Sequence, residues 1–117
     1  MRGNGRLWQT AGRHSRAMVA RSFFSHVAPG GVALADRVQR SGYFTGVRAW
    51  TVGENLGYAY GRSNTPRNIV DAWMRSTPHR RNILNAKFRE LGLGVVRGVP
   101  GNRRRGATFT TVFGRRR

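Results

Sequence analysis

The chain contains no cysteine, only four acidic residues and few long apolar segments among its 117 residues. Without cysteine it can form no disulfide and can offer no thiol nucleophile, although a secreted domain can fold without disulfides when its core suffices. No apolar run approaches the roughly 20 residues that a membrane-spanning helix needs. The first residues are not followed by the apolar segment of a signal peptide, so we expect neither a transmembrane segment nor a signal peptide in this chain.

Basic residues far outnumber acidic ones. Twenty-two Lys and Arg face four Asp and Glu, which gives a formal net charge of +18. Such an excess predicts attraction to phosphates, anionic lipids or acidic wall polymers. The arginines are spread along the chain, however, and the dense runs at 103–105 and 115–117 fall in an expected loop and at the terminus. We therefore interpret them as solvated surface charge and expect no specific nucleic-acid site.

Helix signals come first along the chain, and strand signals follow. Asn4, Thr65 and Thr77 stand where a helix cap is expected, and Pro66 and Pro78 suit a first helical turn. The expected helices cover about 5–22 and 32–41 and two segments that begin near 65 and 77, and the expected strands cover 91–96 and 108–113, with 99–106 as their hairpin loop. Helices followed by strands indicate an α+β fold, which we place in a single domain over 1–117.

Four acidic residues and three histidines narrow the search for a polar site. Glu54 lies between Gly53 and Asn55 in a short apolar context, where burying an unpaired carboxylate would be costly. His79 falls in the first turn of a short expected helix, whose dipole favours a neutral imidazole that can bind a metal or act as a base. His26 follows two phenylalanines and precedes a turn, so it can reach back over the core.

Two histidines and one carboxylate that converge with one open coordination position would form a zinc site of the catalytic kind. Spacing alone leaves two interpretations open. Either His26, Glu54 and His79 converge on a metal, or they are three separate residues, each hydrogen-bonded locally. Nucleophilic serine chemistry is not indicated, because Ser25 and Ser76 lack an evident Ser-His-Asp arrangement.

A set of short segments resembles, in order and spacing, the bacterial branch of the CAP superfamily, which takes in cysteine-rich secretory proteins, antigen 5 and pathogenesis-related proteins. The resemblance runs from about residue 7 to residue 113. The segments that carry it are Phe23-Phe24-Ser25-His26, Gly42-Tyr43, Gly53-Glu54-Asn55-Leu56, Ala72-Trp73-Met74-Arg75-Ser76, His79-Arg80-Arg81-Asn82-Ile83-Leu84, Phe88, Leu93-Gly94-Val95 and Thr110-Thr111-Val112-Phe113.

The resemblance implies an α-β-α sandwich, in which helices flank a small antiparallel sheet on both sides. It also implies a cleft in which His26, His79 and Glu54 can bind a divalent metal, zinc before other ions, and the same three residues are the candidates for any catalytic role. Ser76 stands where many relatives have a second acidic residue. His14-Ser15 resembles another family motif, so His14 is the alternative to His26 in the cleft.

Relatives usually carry an earlier helix, so we expect this chain to lack the usual first helix and to have loose termini at 1–6 and 114–117. The resemblance implies an extracellular or cell-envelope domain whose cleft binds lipid or anionic cell-surface ligands without turnover. One alternative is a metal-assisted hydrolase, in which His26 and His79 hold the metal and Glu54 is the general base. The other is a cationic protein that binds surfaces through its arginine excess.

Overall fold

The structure is a computed structural model that describes residues 1–61 and 64–117. Within these residues it has four helices and four strands. In chain order the elements are β1 (Arg2–Gly3), α1 (Gly5–Ala20), α2 (Leu34–Arg40), β2 (Trp50–Ala59), α3 (Pro66–Met74), α4 (Thr77–Leu84), β3 (Glu90–Val99) and β4 (Asn102–Arg116). None of these helices combines the length and the hydropathy needed to cross a membrane.

The strands form one sheet in the order β1-β3-β4-β2. β4 is antiparallel to both of its neighbours, and the short β1 adds a parallel pair at the outer edge of β3. β2 is the opposite edge strand, and its register with β4 places Glu54 beside Val112 and Asn55 beside Thr111. The predicted α+β class is therefore confirmed, with a sheet that is mixed because of β1.

Helices cover both faces of the sheet, as the sandwich prediction requires. Side chains alternate between the two faces of a strand, so Val112 and Phe109 of β4 point in opposite directions. The first face packs against α1 and α2 in a buried cluster formed by Leu7, Ala11, Val38, Tyr43 and Val112. The second face packs against α3 in a buried cluster formed by Ile69, Trp73, Ala107 and Phe109.

Two glycines of β3 let α1 lie directly on the first face. A Cβ added to Gly92 would overlap the backbone of Leu7 and Trp8, and a Cβ added to Gly94 would overlap the backbone of Ala11. Ser15, one turn further along α1, donates to or accepts from Thr110 of β4 at 2.8 Å. This close contact holds α1 against the sheet, and the loop that carries His26 follows α1.

Local signals predicted two of the helix starts correctly. The Asn4 side chain accepts from the backbone of Arg6 and Leu7, and Thr65 caps α3 with Pro66 in the first turn. Thr77, the third expected cap, is instead the first residue of α4, whose N-cap is Ser76 without a side-chain hydrogen bond. The strand predictions also differ from the structure. β2 was not predicted as a strand, and the hairpin between β3 and β4 turns within residues 100 and 101 rather than over 99–106.

The ends of the chain are also more ordered than the loose termini expected at 1–6 and 114–117. Arg2 and Gly3 pair with β3, and α1 already begins at Gly5. At the other end β4 continues to Arg116, and the backbone N–H of Arg117 donates to the Ala49 carbonyl at 2.9 Å. Backbone pairing at an available sheet edge holds these residues, a long-range contact that local composition does not reveal.

Candidate functional site

Glu54 is a buried carboxylate on the edge strand β2, and its side chain is 1% exposed. Both of its oxygens accept hydrogen bonds from Arg37 of α2, with Nη1 to Oε2 at 2.8 Å and Nη2 to Oε1 at 2.9 Å. This paired geometry is the strong, two-bond form of an arginine–carboxylate interaction. Arg37 is itself largely buried, at 10% side-chain exposure, so the pair is shielded from solvent screening.

His26 completes the cluster from the loop after α1. Its Nδ1 lies 2.8 Å from Glu54 Oε1, and because an ionised carboxylate can only accept, Nδ1 is the nitrogen that carries the proton. Arg37 Nη2 also donates to the His26 carbonyl at 2.8 Å, which ties the loop backbone to α2. The imidazole is held at one edge, yet the side chain remains 57% exposed.

The electrostatics of this cluster favour the ionised carboxylate. Burial alone would raise the pKa of Glu54, but the hydrogen bonds from His26 and Arg37 and the charge of Arg37 outweigh it and hold the pKa below its ordinary value. Glu54 is thus negative at neutral pH and shares its charge with Arg37. A carboxylate with a lowered pKa and occupied oxygens is poorly suited to take a proton from water.

The His79 imidazole has its contacts outside this cluster. Glu54 and Asn55 are consecutive on β2 and therefore face opposite sides of the sheet. The Asn55 side chain donates to the His79 carbonyl at 3.0 Å, which places α4 on the second face. The imidazole instead lies 2.9 Å from Ser76 Oγ and stacks on Trp73 at a centroid distance of 6.2 Å. Burial lowers the pKa of His79 below its ordinary value, and His26 adds to that effect.

The structure therefore joins two of the three residues predicted to bind metal and leaves the third in a local network. Within residues 1–61 and 64–117, no group of three or more His, Cys, Asp or Glu side chains is arranged to hold a metal ion. Arg37 explains this, because its guanidinium occupies the side of the Glu54 carboxylate where a metal cation would bind. In this arrangement the site does not fit a metal held by Glu54.

His14, the alternative to His26, occupies a different place. It lies on the buried face of α1, where Nε2 donates to the Ser25 carbonyl at 2.8 Å and the ring meets Phe23 edge-on at 5.6 Å. Burial lowers the pKa of His14 below its ordinary value, despite the opposing charge of Glu54. His26 is thus the histidine that contacts Glu54, and His14 supports the loop that carries it.

Sequence reasoning missed Arg37, the strongest partner of Glu54. A signal was available, since a carboxylate expected to be buried needs a cation, and α2 carries two arginines. It also missed Asn82, whose side chain donates to the Glu54 carbonyl at 3.1 Å and to Asn55 Oδ1 at 2.9 Å. Asn82 therefore links α4 to β2 at Glu54 and Asn55.

A family model described as the cysteine-rich secretory protein family, CAP, matches residues 4–113. Because this match covers nearly the whole chain, the chain belongs to the CAP family, and the predicted resemblance is confirmed. The match includes Glu54, both candidate cleft histidines and Arg37.

Curated relatives come from Bacillus subtilis. The chain is 36% identical over 90 residues to the uncharacterized protein YkwD, covering 77% of this chain and 32% of the relative. It is 34% identical over 84 residues to the uncharacterized membrane protein YlbC, covering 72% of this chain and 22% of the relative. The chain thus spans about a third or less of the length of these two relatives.

Solved structures share the fold. An extracellular protein containing a SCP domain from Bacillus anthracis superposes with a TM-score of 0.73 at 29% identity, covering 97% of this chain and 33% of that one. An outer surface protein from Borrelia burgdorferi superposes with a TM-score of 0.79 at 17% identity, covering 100% of this chain and 78% of that one. These structural neighbours are bacterial extracellular or surface proteins.

Proposed function

We propose that this CAP domain is an extracellular binding module, without turnover, that takes lipid or cell-surface ligands beside His26. The extracellular location rests on the structural neighbours from Bacillus anthracis and Borrelia burgdorferi, which are described as an extracellular and an outer surface protein. The ligand site rests on the side chains of this chain. A binding role needs a preorganised surface with accessible polar and apolar groups, and the region around His26 supplies both.

The observation that carries this proposal is an exposed imidazole beside exposed apolar side chains. His26 is oriented by the buried pair of Glu54 and Arg37, while Phe24 and Val27 on either side of it remain exposed. Phe24 packs edge-on against the exposed Tyr58 of β2 at a centroid distance of 4.9 Å. A ligand with an apolar body and a hydrogen-bonding head would contact both parts of this surface.

The state of Glu54 favours binding over hydrolysis. A general base needs a free oxygen within reach of water, and both Glu54 oxygens accept bonds from Arg37 or His26 in a buried position. A divalent metal would have to displace Arg37 to reach them. The predicted zinc site is therefore a secondary proposal that requires a rearrangement of α2 or of the Arg37 side chain.

Vesicle binding tests the proposal. Neutral phosphatidylcholine and anionic phosphatidylglycerol vesicles are mixed with the protein at low and at high salt, and bound protein is measured by cosedimentation. We expect binding to neutral vesicles that survives high salt, because apolar contact is not screened. Val27→Ala should weaken this binding. Val70→Ala should not, since Val70 is similarly exposed, at 41% against 49% for Val27, but belongs to α3 rather than to the loop of His26.

A second candidate is a cationic surface protein, which is favoured by the net charge of +18. It predicts binding to the anionic vesicles alone, lost at high salt and indifferent to Val27→Ala. That result would replace the binding-module proposal. Turnover of an ester or a peptide that depends on added metal and is lost in Glu54→Gln would replace it with the hydrolase.

Zinc titration by calorimetry near neutral pH separates the metal question from the ligand question. The proteins compared are the unmodified chain, His26→Ala and His79→Ala, each checked for folding by circular dichroism. One-to-one zinc binding that is lost in both variants would support a metal-dependent cleft. Binding that is indifferent to both substitutions would place zinc elsewhere and leave the apolar surface as the ligand site.

A further inference from the structure

A pocket lies between α1, the turn at residues 28–32 and α2, and it is distinct from the exposed surface at His26. It has a volume of about 220 Å³. Its walls are both apolar and polar, and among its lining residues are Ala17, Val32, His14 and Arg37. His14 comes from the buried face of α1. Arg37 comes from α2, and its Nη1 and Nη2 atoms donate to Glu54.

Two buried polar atoms on these lining residues have no hydrogen-bond partner within the described part of the chain. They are Nδ1 of His14 and Nε of Arg37. His14 is 1% exposed, and its other ring nitrogen already donates to the Ser25 carbonyl, so Nδ1 is an unprotonated acceptor. Arg37 Nε–H is a donor. A buried donor or acceptor without a partner is costly, so a bound group that satisfies both atoms would be favoured.

The charges around the pocket have one sign. Arg13, Arg21 and Arg40 also line it, and no lining residue is acidic. These three arginines form no ion pair within residues 1–61 and 64–117, where the side chains that pair with glutamate are those of His26, Arg37 and Arg116. A pocket with several unneutralised guanidinium groups around buried polar atoms attracts a small anion.

We propose that this pocket binds inorganic phosphate as the hydrogen phosphate ion. The donor and acceptor inventory selects the phosphate group, because hydrogen phosphate has oxygens that accept from Arg37 Nε–H and a hydroxyl that donates to His14 Nδ1. A carboxylate or a chloride has no proton to donate to that nitrogen. The proposal is independent of the vesicle-binding function, which uses a different surface.

Sulfate is the matched control ligand, because it has the shape and charge of hydrogen phosphate but no hydroxyl. Calorimetric titrations at pH 7.5 and low salt would compare inorganic phosphate with sulfate and with glycerol phosphate, whose phosphate group carries no hydroxyl proton at this pH. We expect one-to-one phosphate binding that is at least about tenfold tighter than sulfate binding, since a site built around a ligand hydroxyl rejects the analogue without it. Glycerol phosphate should bind as weakly as sulfate, and glycerol phosphate that binds as tightly as inorganic phosphate would overturn the role given to the ligand hydroxyl.

Two further measurements place the ligand in this pocket. Arg40→Gln should weaken phosphate binding about threefold, and Arg80→Gln, which changes an arginine that is likewise exposed but lies on α4, should leave it unchanged. In the unmodified protein, the ¹⁵N signal of His14 Nδ1 should shift on addition of phosphate and not of sulfate. The proposal is overturned if binding does not saturate, if sulfate binds equally well, or if both arginine variants weaken it alike.

Discussion

Removing Arg37 while leaving Glu54 in place should destabilise the domain strongly. In Arg37→Met the carboxylate keeps only the hydrogen bond from His26, although its side chain is 1% exposed. Breaking a buried ion pair by removing one partner costs about 3–5 kcal/mol, and we expect the lower end, about 3 kcal/mol, because His26 still donates. In the double variant Arg37→Met/Glu54→Leu no buried charge is left, so the cost should fall to within about 1 kcal/mol of the unmodified protein.

Urea unfolding followed by tryptophan fluorescence at pH 7 measures these differences. With a slope of about 2 kcal/mol per molar urea, Arg37→Met should lower the unfolding midpoint by about 1.5 M. The reasoning is refuted if the single substitution costs less than about 1 kcal/mol. It is also refuted if the double variant is as unstable as the sum of both single variants, because then the two side chains do not interact.

The same variant makes a prediction about pH. In the unmodified protein the pKa of Glu54 is lowered, so its stabilisation is present above the ordinary Glu value of about 4.3 and is lost as the pH falls through the folded-state value. In Arg37→Met burial remains without the arginine, so the Glu54 pKa should rise and the carboxyl should protonate at higher pH. The stability difference between the two proteins should therefore shrink as the pH falls from 7 to 4.

Three further predictions concern residues of the helices and the sheet that support the site. Gly94→Ala should lower the free energy of unfolding in urea by about 3 kcal/mol, because its Cβ would overlap the Ala11 backbone. Gly12→Ala is the matched control, since it lies in the interior of α1 with only the flexible end of Arg16 nearby, and it should stabilise the protein by about 0.5–1 kcal/mol. Asn4→Ala should cost about 1 kcal/mol in the same assay, since it removes the α1 cap. In an ultraviolet pH titration, Tyr43 should remain protonated well above the ordinary tyrosine pKa, because burial and its bond to Glu90 raise its pKa; ionisation of all tyrosines in one step near the ordinary value would contradict this.

Local sequence signals predicted those parts of the fold that short-range contacts determine. Asn4 and Thr65 cap their helices through bonds that span two or three residues, and a sequence pattern can identify such bonds. β2 was missed because its two glycines and its polar Glu54 and Asn55 do not alternate as an amphipathic strand would. Those residues are satisfied by contacts with α2 and α4 that are distant in sequence.

The candidate site was predicted in part for the same reason. A carboxylate in an apolar segment indicated that Glu54 has a partner, and His26 is one of its partners. The inclusion of His79 rested on its place in the first turn of a helix and on the resemblance. Once β2 is a strand, alternation places Asn55, the neighbour of Glu54, and α4 on the other face. A buried carboxylate indicated a cation nearby, but the sequence pattern does not single out Arg37 among the many arginines, because only the packing of α2 on the sheet buries it.

The central claim is that Arg37 and His26, rather than a metal, occupy the Glu54 carboxylate. The chain has two glutamates, Glu54 and Glu90, so protein labelled with ¹³C at the glutamate carboxyl gives two signals, which Glu90→Gln assigns. Zinc is added to one equivalent at neutral pH. The account predicts that the Glu54 signal stays in place. A saturating shift of that signal at one equivalent of zinc, absent in His79→Ala, would contradict it and restore the metal site formed by His26, Glu54 and His79.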